Sequence, residues 1–202
     1  MTSTTKQIVV PYITDWTEEP QFSPIVVQRA DGHGIAYADE GLGDRDANGV
    51  LWARVASEPG SGKPIFGKVN SLRQRRAMRK LLCQVCAGPA DKTDDGVLWV
   101  VRDYRDDWPG WPNGMGVTEP PICLPCLRFS ARACPALRRG YAAIRARRYA
   151  IAGIQGLRFH PGTPPRPAEM TVVSFDHPDA AWTVASTLVR ELLDCTPVDL
   201  QS

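Results

Sequence analysis

Histidine is scarce in this sequence, and long apolar runs are missing. The three histidines are His33, His160 and His177, and no Ser/His/Asp triad, carboxylate pair or open metal site marks an active centre. No apolar run approaches the roughly 18 residues that a membrane-spanning helix needs, and residues 1–6 lack the apolar core of a signal peptide. These absences favour a cytoplasmic protein without catalytic activity, membrane contact or a small-molecule cofactor. An enzyme with an unrecognised active site is the alternative.

Acidic residues are missing from two long blocks of the chain. Residues 67–90 carry six basic side chains and residues 123–160 carry eight, with no acidic side chain in either block. The net charge of the whole chain is nevertheless only +2. Lysine is rare as well, since arginine outnumbers it by 19 to 5. Arginine suits bidentate contacts to phosphate, but a GC-rich genome produces the same bias, so the ratio alone does not identify a partner.

Four of the six cysteines form two Cys-x-x-Cys pairs, Cys83–Cys86 and Cys123–Cys126, with 36 residues between them. Two intervening residues let the backbone turn both sulfurs of a pair toward one ion, and two such knuckles complete the tetrahedron that Zn²⁺ accepts. We therefore predict Zn²⁺ bound by these four cysteines. An iron site would use the same ligands. A redox dithiol is disfavoured because it needs only one pair. Two disulfides are disfavoured because they are typical of secreted proteins.

The span between the cysteine pairs has a recognisable order of elements. Gly88-Pro89 predicts a turn, Gly96–Val101 predicts a strand, and a helix is predicted from Leu127 onward. Knuckle, hairpin and a cysteine pair at the start of a helix resemble the treble-clef zinc domains over residues 83–133. Treble clefs include HNH endonucleases, which need histidines near the hairpin, and this chain has none between its cysteine pairs. The resemblance therefore implies a structural metal.

One metal ion would bring both acid-free blocks to the same place, because each block contains a cysteine pair. The result is a local positive patch of the kind that attracts phosphate backbones. Alternatively, the arginines neutralise the charge of −2 that four thiolates leave on Zn²⁺. Fourteen cations exceed that need, so we expect an anionic partner.

Two predicted helices and one loop carry the candidate nucleic-acid contacts. The helices are predicted over 71–82 and 136–150, and the loop covers 106–114; a further helix is predicted over 127–133. Prolines stiffen the backbone of this loop, and each of its two tryptophans precedes a proline. The tryptophan rings are therefore candidates to stack on unpaired bases, with packing against a core as the alternative. The predicted contacts are Arg73, Arg76, Arg79, Lys80, Arg138, Arg139, Arg145, Arg148, Trp108 and Trp111.

The predicted fold class is α+β with three regions. A β-rich N-terminal part covers 1–66 and includes a hairpin around Asp31–Gly34. The zinc module with its flanking Arg-rich helices covers 67–150. Residues 151–202 are predicted as a strand pair followed by an amphipathic helix that packs on the rest, with Arg190 facing solvent.

The leading functional hypothesis is a non-catalytic, zinc-stabilised protein that binds nucleic acid through Arg-rich helices. The second hypothesis is a zinc-stabilised adaptor whose basic surface binds an acidic protein. Salt dependence of binding separates them, because phosphate contacts release counterions.

Overall fold

The computed structural model describes residues 9–199. Residues 1–6, on which the expectation of a cytoplasmic location partly depends, lie outside this range. Within it, the chain is a mixed α and β structure with more strand than helix. Its α-helices are α1 (Ser71–Lys80) and α2 (Leu124–Ala133), and its strands are β1 (Thr14–Trp16), β2 (Val26–Gln28), β3 (Ile35–Tyr37), β4 (Pro64–Val69), β5 (Lys92–Thr93), β6 (Gly96–Val101), β7 (Met115–Val117), β8 (Ala142–His160), β9 (Arg166–Ser174) and β10 (Thr183–Val198).

Six strands form one antiparallel sheet in the order β5, β6, β8, β10 and β7, with β9 added to β8. The long strands β8 and β10 pair along nearly their whole length. The other edge of β8 pairs first with β6 and then with β9. Gly153 and Gly156 permit this crowding, because a Cβ at either position would clash with a carbonyl oxygen of a neighbouring strand. The pairing of β8 with β9 confirms the predicted strand pair.

The N-terminal part adds two small sheets, β1 with β4 and β2 with β3. The β2–β3 pair is the hairpin predicted from the sequence, since Val26 lies opposite Tyr37. A short segment attaches this part to β10. The Ala53 N–H donates to the carbonyl of Ala185, and the Ala185 N–H donates to the carbonyl of Leu51, both at 2.8 Å.

Strand β6 is buried on both faces and separates two hydrophobic cores. On one face, Trp99 packs with Ile144 and Leu192. On the other face, Leu98 packs with Leu127 and with the cysteine-bearing segments. A strand covered on both sides needs a continuous apolar sequence, and Gly96–Val101 has one. The strand predicted over these residues is confirmed.

Two predicted helices are wrong. Segment 136–150 forms a 3₁₀ helix (Leu137–Arg139) followed by the start of β8, and segment 182–194 lies almost entirely in β10. Strand β10 lies between two neighbours and buries residues of both faces, so its apolar residues are nearly continuous. A continuous apolar run contains the i, i+3, i+4 spacing of a helix as well, so its periodicity does not distinguish the two structures.

Strand β8 is continuous across residue 150, where the sequence predicts a boundary between the second and third regions. The six-stranded sheet contains strands from both regions. Neither α-helix of the described chain has the length and apolar character that crossing a membrane would require.

Arg73 is buried, although the sequence predicts it on an exposed stripe. Its guanidinium donates to both carboxylate oxygens of Glu19, at 2.5 and 2.9 Å, and to the carbonyl of Thr14 at 2.7 Å. Both side chains of the pair are at most 2% exposed. Burial alone would raise the pKa of Glu19, but hydrogen bonds from Arg73 and from the backbone of Glu58 and Trp16 outweigh it and hold the pKa at about 2. This pair attaches the N-terminal segment to α1.

Helix α1 is also attached to β10 by two buried polar side chains. The Gln74 amide donates to the carbonyl of Leu188 at 2.9 Å and accepts from the N–H of the same residue at 3.0 Å. Arg190 donates to the carbonyl of Met78 at 2.6 Å and to that of Tyr149. The expectation that Arg190 faces solvent is therefore wrong, because the C-terminal carbonyls of α1 need a donor that β10 supplies.

Replacing Glu19 by Gln should lower the free energy of unfolding by about 3–5 kcal/mol at pH 7, because the Arg73 charge would remain buried without its partner. The difference from wild type should shrink as the pH falls from 4.5 toward about 2, the ordinary and the folded pKa of this carboxyl. Over that range the wild-type protein itself loses the negative charge. Urea unfolding of the wild-type and variant proteins at pH 7 and at pH 3 measures this difference in the free energy of unfolding.

Glu18→Gln is the matched control, because Glu18 is the exposed neighbour of Glu19. It should change the free energy of unfolding by less than about 0.5 kcal/mol. An equal loss for Glu19→Gln at both pH values would contradict the depressed pKa.

Candidate metal centre

The first cysteine pair lies in a tight turn that follows α1. The Cys83 N–H donates to the carbonyl of Gly88 at 2.7 Å, and the Ala87 N–H donates to the carbonyl of Cys83 at 2.9 Å. Ala87 has a positive φ of 59°, which reverses the chain direction. The Val85 N–H points at the Cys83 sulfur, 3.4 Å away. The turn thereby presents the sulfurs of Cys83 and Cys86 on one side.

The second pair opens α2. Cys123 is the N-cap residue, Cys126 lies in the first turn, and Pro125 occupies a position where a helix does not need its N–H. No side chain caps this helix by a hydrogen bond. The free N–H groups and the positive end of the helix dipole therefore remain available to stabilise thiolates.

The four sulfur atoms lie within 4.8 Å of one another. The Sγ atoms of Cys86 and Cys123 are 3.8 Å apart. Zn–S bonds of about 2.3 Å in a tetrahedron give an edge of about 3.8 Å, whereas a disulfide requires about 2.05 Å. All six cysteines are free thiols. The structure thus brings together the four cysteines predicted from the sequence, and their geometry and donor set fit one metal ion.

Burial and hydrogen bonding act in opposite directions on the thiols. Burial raises the pKa of Cys83 and that of Cys126. Burial opposes ionisation of Cys86 too, but hydrogen bonds from the Gly88 N–H and from the neighbouring thiols outweigh it and lower the pKa. Four thiolates at this separation repel one another strongly. A bound cation would offset that repulsion, because coordination deprotonates a thiol outright.

The surroundings of the cluster favour a structural site. Cys83 is fully buried in the core beneath β6, Cys123 and Cys126 are half-buried, and Cys86 is exposed. Four thiolates would fill the coordination sphere of a tetrahedral ion and leave no position for a catalytic water. A metal ion here would therefore connect the turn after α1 to the start of α2.

The predicted contacts on α1 divide into two groups. Arg76 and Lys80 are exposed, and neither has an ion-pair partner between residues 9 and 199. Arg79 pairs with Asp46 at 3.3 Å, and Arg73 is buried. The expectation that Arg73, Arg76 and Lys80 share one exposed stripe is therefore wrong for Arg73, because Glu19 of the N-terminal part pairs with it in the interior.

The second acid-free block divides in the same way. Arg138 and Arg139 are exposed on the 3₁₀ helix, and no carboxylate of the described chain pairs with either. Arg145 and Arg148 lie on β8 rather than on a helix, and each pairs with an aspartate, at 2.5 and 2.7 Å. The prediction that Arg138, Arg145 and Arg148 share one helix is therefore wrong.

Two exposed arginines on α2 are absent from the predicted contacts. Arg128 and Arg132 lie one turn apart, and the Arg132 side chain donates to the carbonyl of Arg128 at 3.2 Å. Neither side chain has a carboxylate partner in the part of the chain that the structure describes. Their i, i+4 spacing inside an acid-free predicted helix was the available signal.

The two tryptophans of the loop both pack against the Trp99 core. The Trp111 indole nitrogen is buried without a partner, which agrees with the packing alternative. Trp108 donates to the carbonyl of Asn113 at 3.4 Å. Its ring also lines a groove of about 610 Å³ between the loop and the sheet. Trp108 is therefore placed for both packing and ligand contact.

A second groove of about 590 Å³ adjoins the first. The two grooves share Val101, Arg102 and Glu119. The second groove extends to α2 and to Arg139 of the 3₁₀ helix. The shared residues thus border both grooves, and the second groove reaches one of the unpaired arginines, Arg139.

Cys83→Ser or Cys123→Ser should abolish metal binding and cooperative folding, because assembly of the site and folding are coupled. The wild-type protein should contain about one zinc per chain. Cys134→Ser is the control and should keep the metal, since Cys134 lies at the far end of α2. Elemental analysis and circular dichroism provide the measurements. Stoichiometric iron would contradict zinc, and metal-free protein with an unchanged spectrum would contradict a structural metal.

The comparisons with known proteins return no match: no protein-family model, no curated protein and no solved structure is similar to this chain. The chemistry of the cysteine cluster and of the unpaired arginines therefore has to carry any functional assignment.

Proposed function

We propose that this chain is a non-catalytic, zinc-stabilised nucleic-acid-binding protein. Its phosphate contacts are the arginines of α2 and of the 3₁₀ helix that follows, namely Arg128, Arg132, Arg138 and Arg139. Zinc is the metal that best fits a closed set of four thiolates. The order of knuckle, β5–β6 hairpin and cysteine-headed helix supports a treble-clef-like module. Reduced cysteines of this kind suit the cytoplasm.

The observation that carries the proposal is the contrast within one acid-free block. The four arginines of α2 and the 3₁₀ helix are exposed and have no carboxylate partner within residues 9–199. Every arginine of β8 has an acidic partner at 3.0 Å or less: Arg145, Arg147, Arg148 and Arg158 pair with Asp91, Asp95, Asp194 and Glu169. Within this block, the unpaired group therefore gains most from an external polyanion.

Neutralising the thiolates explains these arginines less well. Arg132 lies six residues beyond Cys126, which is about 9 Å along the helix axis. Arg138 and Arg139 lie beyond the end of the helix. A cation in the last turn of a helix interacts favourably with the helix dipole, but that effect accounts for Arg132 alone.

One observation favours the adaptor hypothesis. Phe129 is 39% exposed between two of these arginines on α2. An exposed aromatic ring with flanking arginines is also typical of protein interfaces. An acidic protein partner is therefore the second candidate.

The Arg132→Ala/Arg138→Ala double variant should weaken binding to nucleic acid and reduce the slope of log K against log salt by roughly 1.4 to 1.8, because each lost phosphate contact contributes about 0.7 to 0.9. Its zinc content should not change. Fluorescence anisotropy with labelled 20-mers at several salt concentrations measures the slope.

Arg147→Ala/Arg148→Ala is the matched control. It lowers the net charge by the same amount, but it removes arginines that are already ion-paired. Equal effects of the two double variants would show that binding depends only on net charge, which would contradict the proposed role of the unpaired arginines. Absence of wild-type binding at low salt would reject nucleic acid and favour the adaptor.

A further inference from the structure

On the basis of the proposed function, we propose that the groove beside Trp108 binds an unpaired base that carries an exocyclic amino group. The bound nucleic acid would therefore be single-stranded, with a preference for cytosine over thymine or uracil. The groove has a volume of about 610 Å³ and lies between the loop after β6 and the open face of the sheet. Its lining includes Arg102, Tyr104, Asp107, Trp108, Glu119 and Gln155.

Aromatic rings form one wall of this groove. The rings of Tyr104 and Trp108 have centroids 6.5 Å apart and are tilted by 32°. Both rings pack against the buried core, so they are held in place before any ligand binds. The Arg102 guanidinium lies 5.3 Å from the Tyr104 ring centre. An aromatic ring held in this way can stack on any base, which is typical of single-strand binding.

The charges of the groove suit a base better than a phosphate. Asp107 and Glu119 contribute two carboxylates, while Arg102 is the one cation in the lining. Both carboxylates are exposed, and among the described residues neither forms an ion pair. Glu119 only accepts a 3.4 Å hydrogen bond from the Thr118 hydroxyl. A net negative groove repels phosphate, whereas carboxylates accept hydrogen bonds from amino groups.

The preference for cytosine over thymine or uracil follows from the group at position 4 of the base. Cytosine presents a 4-amino donor to a carboxylate, while thymine and uracil present a carbonyl acceptor at the same position. A carboxylate facing that carbonyl is repulsive, so the difference between these bases is larger than one lost hydrogen bond. The Gln155 side-chain oxygen accepts a hydrogen bond from the Thr187 hydroxyl at 3.3 Å, while its amide nitrogen can donate to a base carbonyl.

The adjoining groove gives the phosphates their place. A nucleic-acid strand that leaves the first groove past Arg102 would enter the second groove, whose lining includes Arg139 and, from α2, Ser130. The base would occupy the first groove while the phosphate backbone lies near the arginines. Only a single-stranded nucleic acid, whose bases can be splayed out, can adopt this arrangement. A duplex keeps its amino groups in base pairs.

The test compares labelled dC12 with dT12, and rC12 with rU12, for the zinc-loaded full-length protein at pH 8. Wild-type protein should bind each cytosine oligomer about tenfold more tightly than its thymine or uracil counterpart. The Asp107→Asn/Glu119→Gln variant should reduce that ratio to about twofold or less, because an amide also donates to a carbonyl. Trp108→Leu should weaken both oligomers.

Asp106→Asn is the matched control, because Asp106 is the exposed neighbour of Asp107 and lies outside the groove lining. It should leave the ratio unchanged. Equal wild-type affinities for cytosine and thymine oligomers would overturn the inference, as would a ratio that the double variant does not change. Either result leaves the proposed function standing if salt-dependent binding persists, whereas loss of all binding rejects both. Retention of the preference in a duplex would also overturn it.

Discussion

The convergence of four cysteine sulfurs is the constraint on which the arrangement of the central region depends. The turn at Cys83 and the start of α2 lie on the same face of β6, and both contribute to the core beneath that strand. The same turn accepts backbone hydrogen bonds from Tyr12 and Ile13 of the N-terminal segment. Four thiolates at this separation would be stable only with a cation that offsets their charge. Metal binding would therefore fix three separate parts of the chain at once.

The tertiary fold, and not the order of charged residues along the chain, determines which charged side chains are neutralised. Both acid-free blocks are partly neutralised by carboxylates from distant segments, as the pairs Arg73–Glu19 and Arg148–Asp194 illustrate. Among residues 9–199, pairing leaves Arg76 and Lys80 of α1 and the arginines of α2 and of the 3₁₀ helix without a carboxylate partner. One of these arginines, Arg139, lines a groove that shares Arg102 and Glu119 with the groove beside Trp108. The proposed division of tasks, phosphates at the arginines and bases at the rings, uses both kinds of surface.

The sequence by itself determined the features that depend on local chemistry. The Cys-x-x-Cys spacing fixed which thiols are brought together, because two intervening residues close a turn whatever surrounds it. The absence of Gly and Pro in an otherwise helix-favouring segment predicted α1, and the apolar run at Gly96–Val101 predicted β6. The β2–β3 hairpin followed from its Gly-rich turn.

Tertiary structure decided the rest, because strand pairing and ion pairing join residues that are far apart in sequence. Residues 142–148 and 183–194 are compatible with a helix in isolation, and only the long β8–β10 pairing makes them strands. Whether an arginine is ion-paired depends likewise on whether a distant carboxylate reaches it. Glu19 lies 54 positions before Arg73, and no local pattern reports such a partner. Which cations remain free for a ligand was therefore a property of the folded chain alone.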